Sequence, residues 1–93
     1  MKLYFRRSAL RDLEGIHRYI SQDNPTAAQT VIARIRAASQ RLILFPKSGR
    51  SGQVEDTREL VVPGLPYIVV YTVEGEEIDI RAVYHGARDR SDD

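Results

Sequence analysis

Cysteine is absent from the chain, so neither disulfides nor thiolate metal sites can hold the fold, and a thiol nucleophile is excluded. No stretch approaches the roughly 20 apolar residues needed to span a bilayer. The opening segment, MKLYFRRSALRDL, enters a charged pattern rather than the apolar region of a signal peptide. An excess of one charge is also missing: 14 basic residues stand against 13 acidic ones, a formal net charge of +1. That balance argues against a surface that grips phosphate throughout and confines any nucleic-acid role to a local patch. The two histidines, His17 and His85, are far apart in sequence and make no metal signature. There is no internal repeat. With 42% hydrophobic and 29% charged residues, the expectation is one domain over residues 1–93, stabilised by packing, cytoplasmic, away from membranes, and without cofactor or metal.

The hydropathy pattern orders the elements. Lys2 to Arg6 reads as a short opening strand, an edge or the partner of a later strand. Ser8 stands where an N-cap belongs, and Leu10, Leu13, Ile16 or His17, and Ile20 recur at helical spacing up to about Gln22. Asn24-Pro25 then supplies a cap and a first-turn proline for a second helix with the stripe Ala28, Val31, Ile32, Ile35, Ala38 and Leu42, which stops before Pro46. The short connection between them predicts an antiparallel helical hairpin. Phe45 to Asp56 reads as a surface loop broken by Pro46, Gly49 and Gly52. Three strands follow: Arg58 to Val62, Tyr67 to Val73 and Glu77 to Tyr84, with Tyr67 to Val73 apolar on both sides and therefore central. The predicted fold is α+β in the order β-α-α-β-β-β, an antiparallel sheet of the last three strands with one face on the hairpin.

Several polar residues are not required by this pattern. On the last strand Arg81 and His85 share parity, which predicts that both project from the face opposite Ile78, Ile80, Ala82 and Tyr84. Arg58 lies in the same sheet region, and Lys47, Arg50 and Glu55 stand in the loop. Each has an ordinary structural explanation as well. Arg58 and Arg81 can bond acids such as Glu59 or Asp79 across the sheet, His85 can bond a backbone group and fix the exit of the strand, and the loop charges can be solvated surface. Tyr67 and Tyr71 are read as packing residues.

Ser8, Ala9, Asp12 and Leu13 on the first helix, Asn24-Pro25 with Ala28, Phe45-Pro46 with Gly49-Arg50, Arg58-Glu59-Leu60, Tyr67 to Tyr71, and Arg81-Ala82-Val83-Tyr84-His85-Gly86-Ala87-Arg88 occur in a telling order. In that order and at this length, the chain resembles the RelE/ParE superfamily of bacterial toxins, the toxic halves of type II toxin-antitoxin (plasmid stabilisation) modules. The resemblance implies a small α+β toxin neutralised by a cognate antitoxin. It leaves two branches open, because a fold does not by itself decide a function. ParE-like members poison DNA gyrase without a known hydrolytic reaction; RelE-like members are metal-independent endoribonucleases that cut mRNA, usually on the ribosome.

In the RelE-like case the resemblance assigns Arg58 and Arg81 to phosphate binding and His85 to proton transfer. In either case Lys47, Arg50, Arg58, Arg81 and Arg88 are the candidate target- or phosphate-binding residues. RelE-like enzymes that use lysine bases usually carry more than one in this loop, whereas only Lys47 is present here, and the charge is near neutral. Both features turn the expectation toward a ParE-like gyrase inhibitor, with the mRNA interferase as the alternative. The chain is then an enzyme only in the second case.

Overall fold

The computed structural model describes residues 1–87. Its elements are β1 (Lys2–Phe5), α1 (Arg7–Ser21), α2 (Pro25–Gln40) with a 3-10 turn at Arg41–Ile43, β2 (Arg50–Ser51), β3 (Arg58–Val61), β4 (Tyr67–Glu74) and β5 (Glu77–His85). The strands form one sheet in the order β1-β5-β4-β3-β2. β4 is central, as its two apolar faces predict. β1 is the edge strand expected from its length and pairs parallel with β5; the other pairs are antiparallel. The two-residue strand β2 lies inside the segment read as loop, too short to leave a periodic signal.

α2 begins as its sequence dictates: the Asn24 side chain accepts the Ala27 N–H at 3.0 Å, and Pro25 occupies the first turn where no N–H is needed. α1 does not. The expected cap, Ser8, already lies within the helix, which starts at Arg7 after an Arg6 that offers no side-chain cap. The reason is that the Arg6 N–H is still engaged with the sheet, on the Ile80 carbonyl at 2.8 Å, so strand passes into helix without an intervening turn. α1 buries Ala9, Leu13 and Ile16, leaving Leu10 exposed, while α2 buries Ala28, Ile35 and Ala38, followed by Leu42. Apart from Ala28, these side chains form one core with Tyr67, Val69, Tyr71, Ile78, Ile80 and Val83 of the sheet. Each fully buried Ile or Leu contributes on the order of 1.5–3 kcal/mol.

The inward set on β5 differs from the one the alternation predicts. Tyr71 pairs with Ile80 and Val70 with Ala82, so Arg81 is an extra residue with no counterpart on β4, a β-bulge. The bulge reverses the parity of everything after it. Val83 therefore enters the core, and His85, opposite Tyr67, lies on the helix-side face, whereas Ala82 and Tyr84, opposite Val70 and Ile68, lie on the other. Arg81 and His85 do not share a face.

A second fixed point is Tyr71, which is fully buried. Its hydroxyl accepts the Gly49 N–H at 2.9 Å and donates to the Pro46 carbonyl at 2.8 Å, so the segment after α2 is tied to the middle of the sheet. Gly49 has to be small: a Cβ there would stand 2.7 Å from that hydroxyl and 2.9 Å from the Glu59 carbonyl. Replacing Tyr71 with Phe leaves both backbone groups without their partner. We expect a loss of about 1–3 kcal/mol in urea unfolding, with faster amide exchange at Gly49; an unchanged midpoint and unchanged exchange would contradict this role.

Candidate functional site

β1 covers the outer edge of β5 only as far as Ile80. Beyond it the bulged strand presents edge groups that no strand reaches, and α1 supplies side chains in place of a strand. The Ser8 hydroxyl donates to the Arg81 carbonyl at 2.7 Å, and an Asp12 carboxylate oxygen accepts the Val83 N–H at 2.9 Å. The two residues lie four apart and so rise from the same side of the helix. They fix the backbone on both sides of Ala82 and thereby set where Arg81 projects.

Arg81 opens into a cleft of about 590 Å³ on the sheet face away from the helices, walled by the end of β1, the 54–57 segment and the β4–β5 hairpin. At its floor lies Asp79, whose side chain is only 8% exposed. One carboxylate oxygen, Oδ2, receives the Arg6 Nε–H at 2.6 Å and has an Arg81 nitrogen at 3.6 Å. The first is a short charge-assisted hydrogen bond; the second is a looser ion pair. The other oxygen, Oδ1, is buried with no hydrogen-bond partner among the described residues. Arg6 and Arg81 remain 46% and 37% exposed, so two guanidiniums face the cleft with donors to spare while sharing a single carboxylate. Tyr4, Thr57 and Thr72 complete the polar lining, and Glu55, Asp56 and Glu74 form its rim.

The other candidates lie elsewhere. Arg58 donates to the Gly49 carbonyl at 2.8 Å and the Lys47 carbonyl at 3.3 Å, and with Lys47 it lines a separate cleft of about 450 Å³. Residues 54–57 and Val73 line both clefts, which therefore adjoin. Arg50 pairs with buried Glu59 at 3.3 Å. The His85 ring meets Tyr67 edge-on at 5.4 Å, and its Nδ1 accepts the Ala87 N–H at 3.2 Å, which fixes the exit of β5. Four residues of strand, roughly 13 Å, and a change of face separate His85 from Arg81. Arg88 lies outside the described residues.

His85 thus lies apart from Arg81, Arg58 is tied to backbone carbonyls in the adjoining cleft, and the structure joins Arg81 to Arg6 and Asp79. Sequence reasoning missed Arg6 as a partner because it reads only as the end of the opening strand. Only the parallel pairing of β1 with β5, across more than seventy residues of chain, brings it to Asp79. What the cleft can do chemically is bind an anionic group through two guanidiniums. Among the described residues no group of three or more histidine, aspartate or glutamate side chains is placed to hold a metal ion, and no helix is long and apolar enough to cross a membrane.

A helical hairpin on a five-stranded sheet, with a stapled bulge and an arginine-lined cleft, defines the class of small α+β domain to which the chain belongs. Residues 3–90 match the family described as the ParE toxin of the type II toxin-antitoxin system parDE, and the chain belongs to that family. It is 44% identical over 77 residues to Y4kP of Sinorhizobium fredii, provisionally described as a toxin, covering 83% of this chain and 79% of that one. It is 36% identical over 80 residues to toxin RelE2 of Caulobacter vibrioides, covering 86% and 89%. Among solved structures, the chromosomal ParDE toxin-antitoxin system of P. aeruginosa superposes with a TM-score of 0.81 at 26% identity, covering 91% of this chain and 95% of that one. A conserved hypothetical protein of Helicobacter pylori, at 18% identity and a TM-score of 0.55, shares the fold. A type II toxin implies a cognate antitoxin as partner.

Asp12→Ala should leave the buried Val83 N–H without an acceptor and cost about 1–3 kcal/mol, whereas Asp12→Asn, which keeps a carbonyl oxygen, should cost much less. Chemical denaturation of the two variants tests this, and equal stabilities would remove Asp12 from the edge of β5.

Proposed function

We propose that the chain is a ParE-like, non-hydrolytic toxin of the cytoplasm that inhibits DNA gyrase by binding it and is neutralised by its antitoxin. The observation that carries this reading is the dispersal of Arg58, Arg81 and His85. Cleavage of RNA through the 2′-hydroxyl needs a base, an acid and cationic donors converging on one phosphate, each within hydrogen-bond reach of its atom. Here the histidine is occupied on the far face of the sheet, and Arg58 is bonded to the carbonyls of Lys47 and Gly49. A binding toxin requires no such convergence. The near-neutral net charge and the ParDE structural neighbour support the same branch.

The antitoxin has a suitable seat away from the arginine cleft. Leu44 and Phe45 are 73% and 52% exposed, and Phe45 with Ala38, Leu60 and Pro63 lines an apolar groove of about 380 Å³. That chemistry suits the apolar face of an amphipathic segment.

In a supercoiling assay with purified bacterial DNA gyrase, the toxin should inhibit the enzyme and accumulate cleaved DNA, and His85→Ala should inhibit as the parent does. Gyrase left untouched by excess toxin, together with mRNA cleavage that His85→Ala abolishes, would replace this reading with the RelE-like one, in which ribosome and mRNA are the partners.

A further inference from the structure

We infer that the Arg6–Arg81 cleft recognises a protein segment in which one acidic side chain is flanked by basic ones, and that this is where the toxin holds its gyrase target; the choice of target rests on the proposed function. The argument is the layering of charge. At the floor, two guanidiniums share one carboxylate that is bonded tightly to Arg6 and loosely to Arg81, so donors remain for one further anionic group. At the rim, Glu55, Asp56 and Glu74 surround that floor with negative charge.

A nucleic-acid backbone entering the cleft would bring its flanking phosphates against those acids, an arrangement that like-charge repulsion disfavours. A protein segment with an Asp or Glu between Lys or Arg residues satisfies floor and rim together. The cleft also shares no lining residue with the groove at Phe45, which leaves the antitoxin a surface of its own.

The sign of the response to charge reversal at the rim separates the two kinds of occupant. Full-length toxin carrying Glu55→Lys and Glu74→Lys, and toxin carrying Arg6→Ala and Arg81→Ala, are compared with the parent for half-inhibition of gyrase supercoiling and for affinity toward the cognate antitoxin. The arginine variant should need about tenfold more toxin and the rim variant at least about threefold more, with antitoxin affinity held. Stronger inhibition by the rim variant would mean a polyanionic occupant and overturn the inference. So would unchanged inhibition in both variants, or a fall in antitoxin affinity that parallels the loss. A parent toxin that does not inhibit gyrase at all would instead remove the gyrase reading and the inference with it. Both rim residues are exposed, so that arm stands even if the double arginine variant fails to fold.

Discussion

Setting Arg81 opposite nothing on β4 deprives β5 of a rung of its ladder, and the rest of the molecule is arranged around that gap. Unpaired backbone groups at a sheet edge must find partners or remain in water. Here β1 stops one residue short of the bulge, and the chain turns at once into α1, whose Ser8 and Asp12 take the Arg81 carbonyl and the Val83 N–H. The bulge therefore fixes where β1 ends, where α1 begins and which residues of the last strand enter the core. It also aims Arg81 at the face the helices leave open, beside Asp79.

Asp79 links this backbone geometry to chemistry. A carboxylate with 8% exposure and an unpartnered oxygen is an unfavourable group to bury, costing on the order of 1–3 kcal/mol for the orphaned acceptor. The bond to Arg6 offsets part of this, but Arg6 is half exposed and its ion pair is screened. An apolar residue on this face would pack more simply. What the arrangement gains is order: Arg6 is drawn from the end of β1 to the side of Arg81, and two cations that would otherwise repel are held in one cleft.

The order of elements was legible because each rests on a local signal: Asn24-Pro25 opens α2, Pro46 and Gly49 mark the loop beyond it, and Tyr67 to Val73 is apolar on both faces. The candidate site was legible only in part. Arg81 was singled out, and its structural pairing with Asp79 was anticipated. Its supposed neighbour His85 was not its neighbour, because Ala82 and Tyr84 continue the apolar alternation of Ile78 and Ile80 so smoothly that nothing in the residue types marks the slip of phase. No glycine stands at the bulge to announce it. Ser8 shows the same limit, since its residue type suits a helix cap and its actual partner lies 73 residues away. A slip in hairpin register decides the first case and a long-range contact the second, and composition and periodicity encode neither.

The placement of Arg58, Arg81 and His85 bears on what a toxin of this fold can do. The tyrosine-pinned loop holds Arg58 on the carbonyls of Lys47 and Gly49, and His85 lies on the sheet face opposite Arg81. Bringing Arg58 to a phosphate held by Arg81 would mean breaking those bonds. Bringing His85 to the same phosphate would require its ring to leave Tyr67 and cross the sheet. The move of His85 is no rotamer change. A partner that reads surface charge needs none of them, because the donors of Arg6 and Arg81 already face outward, and for such a partner the bulge, its staples and the buried carboxylate are preorganisation for binding.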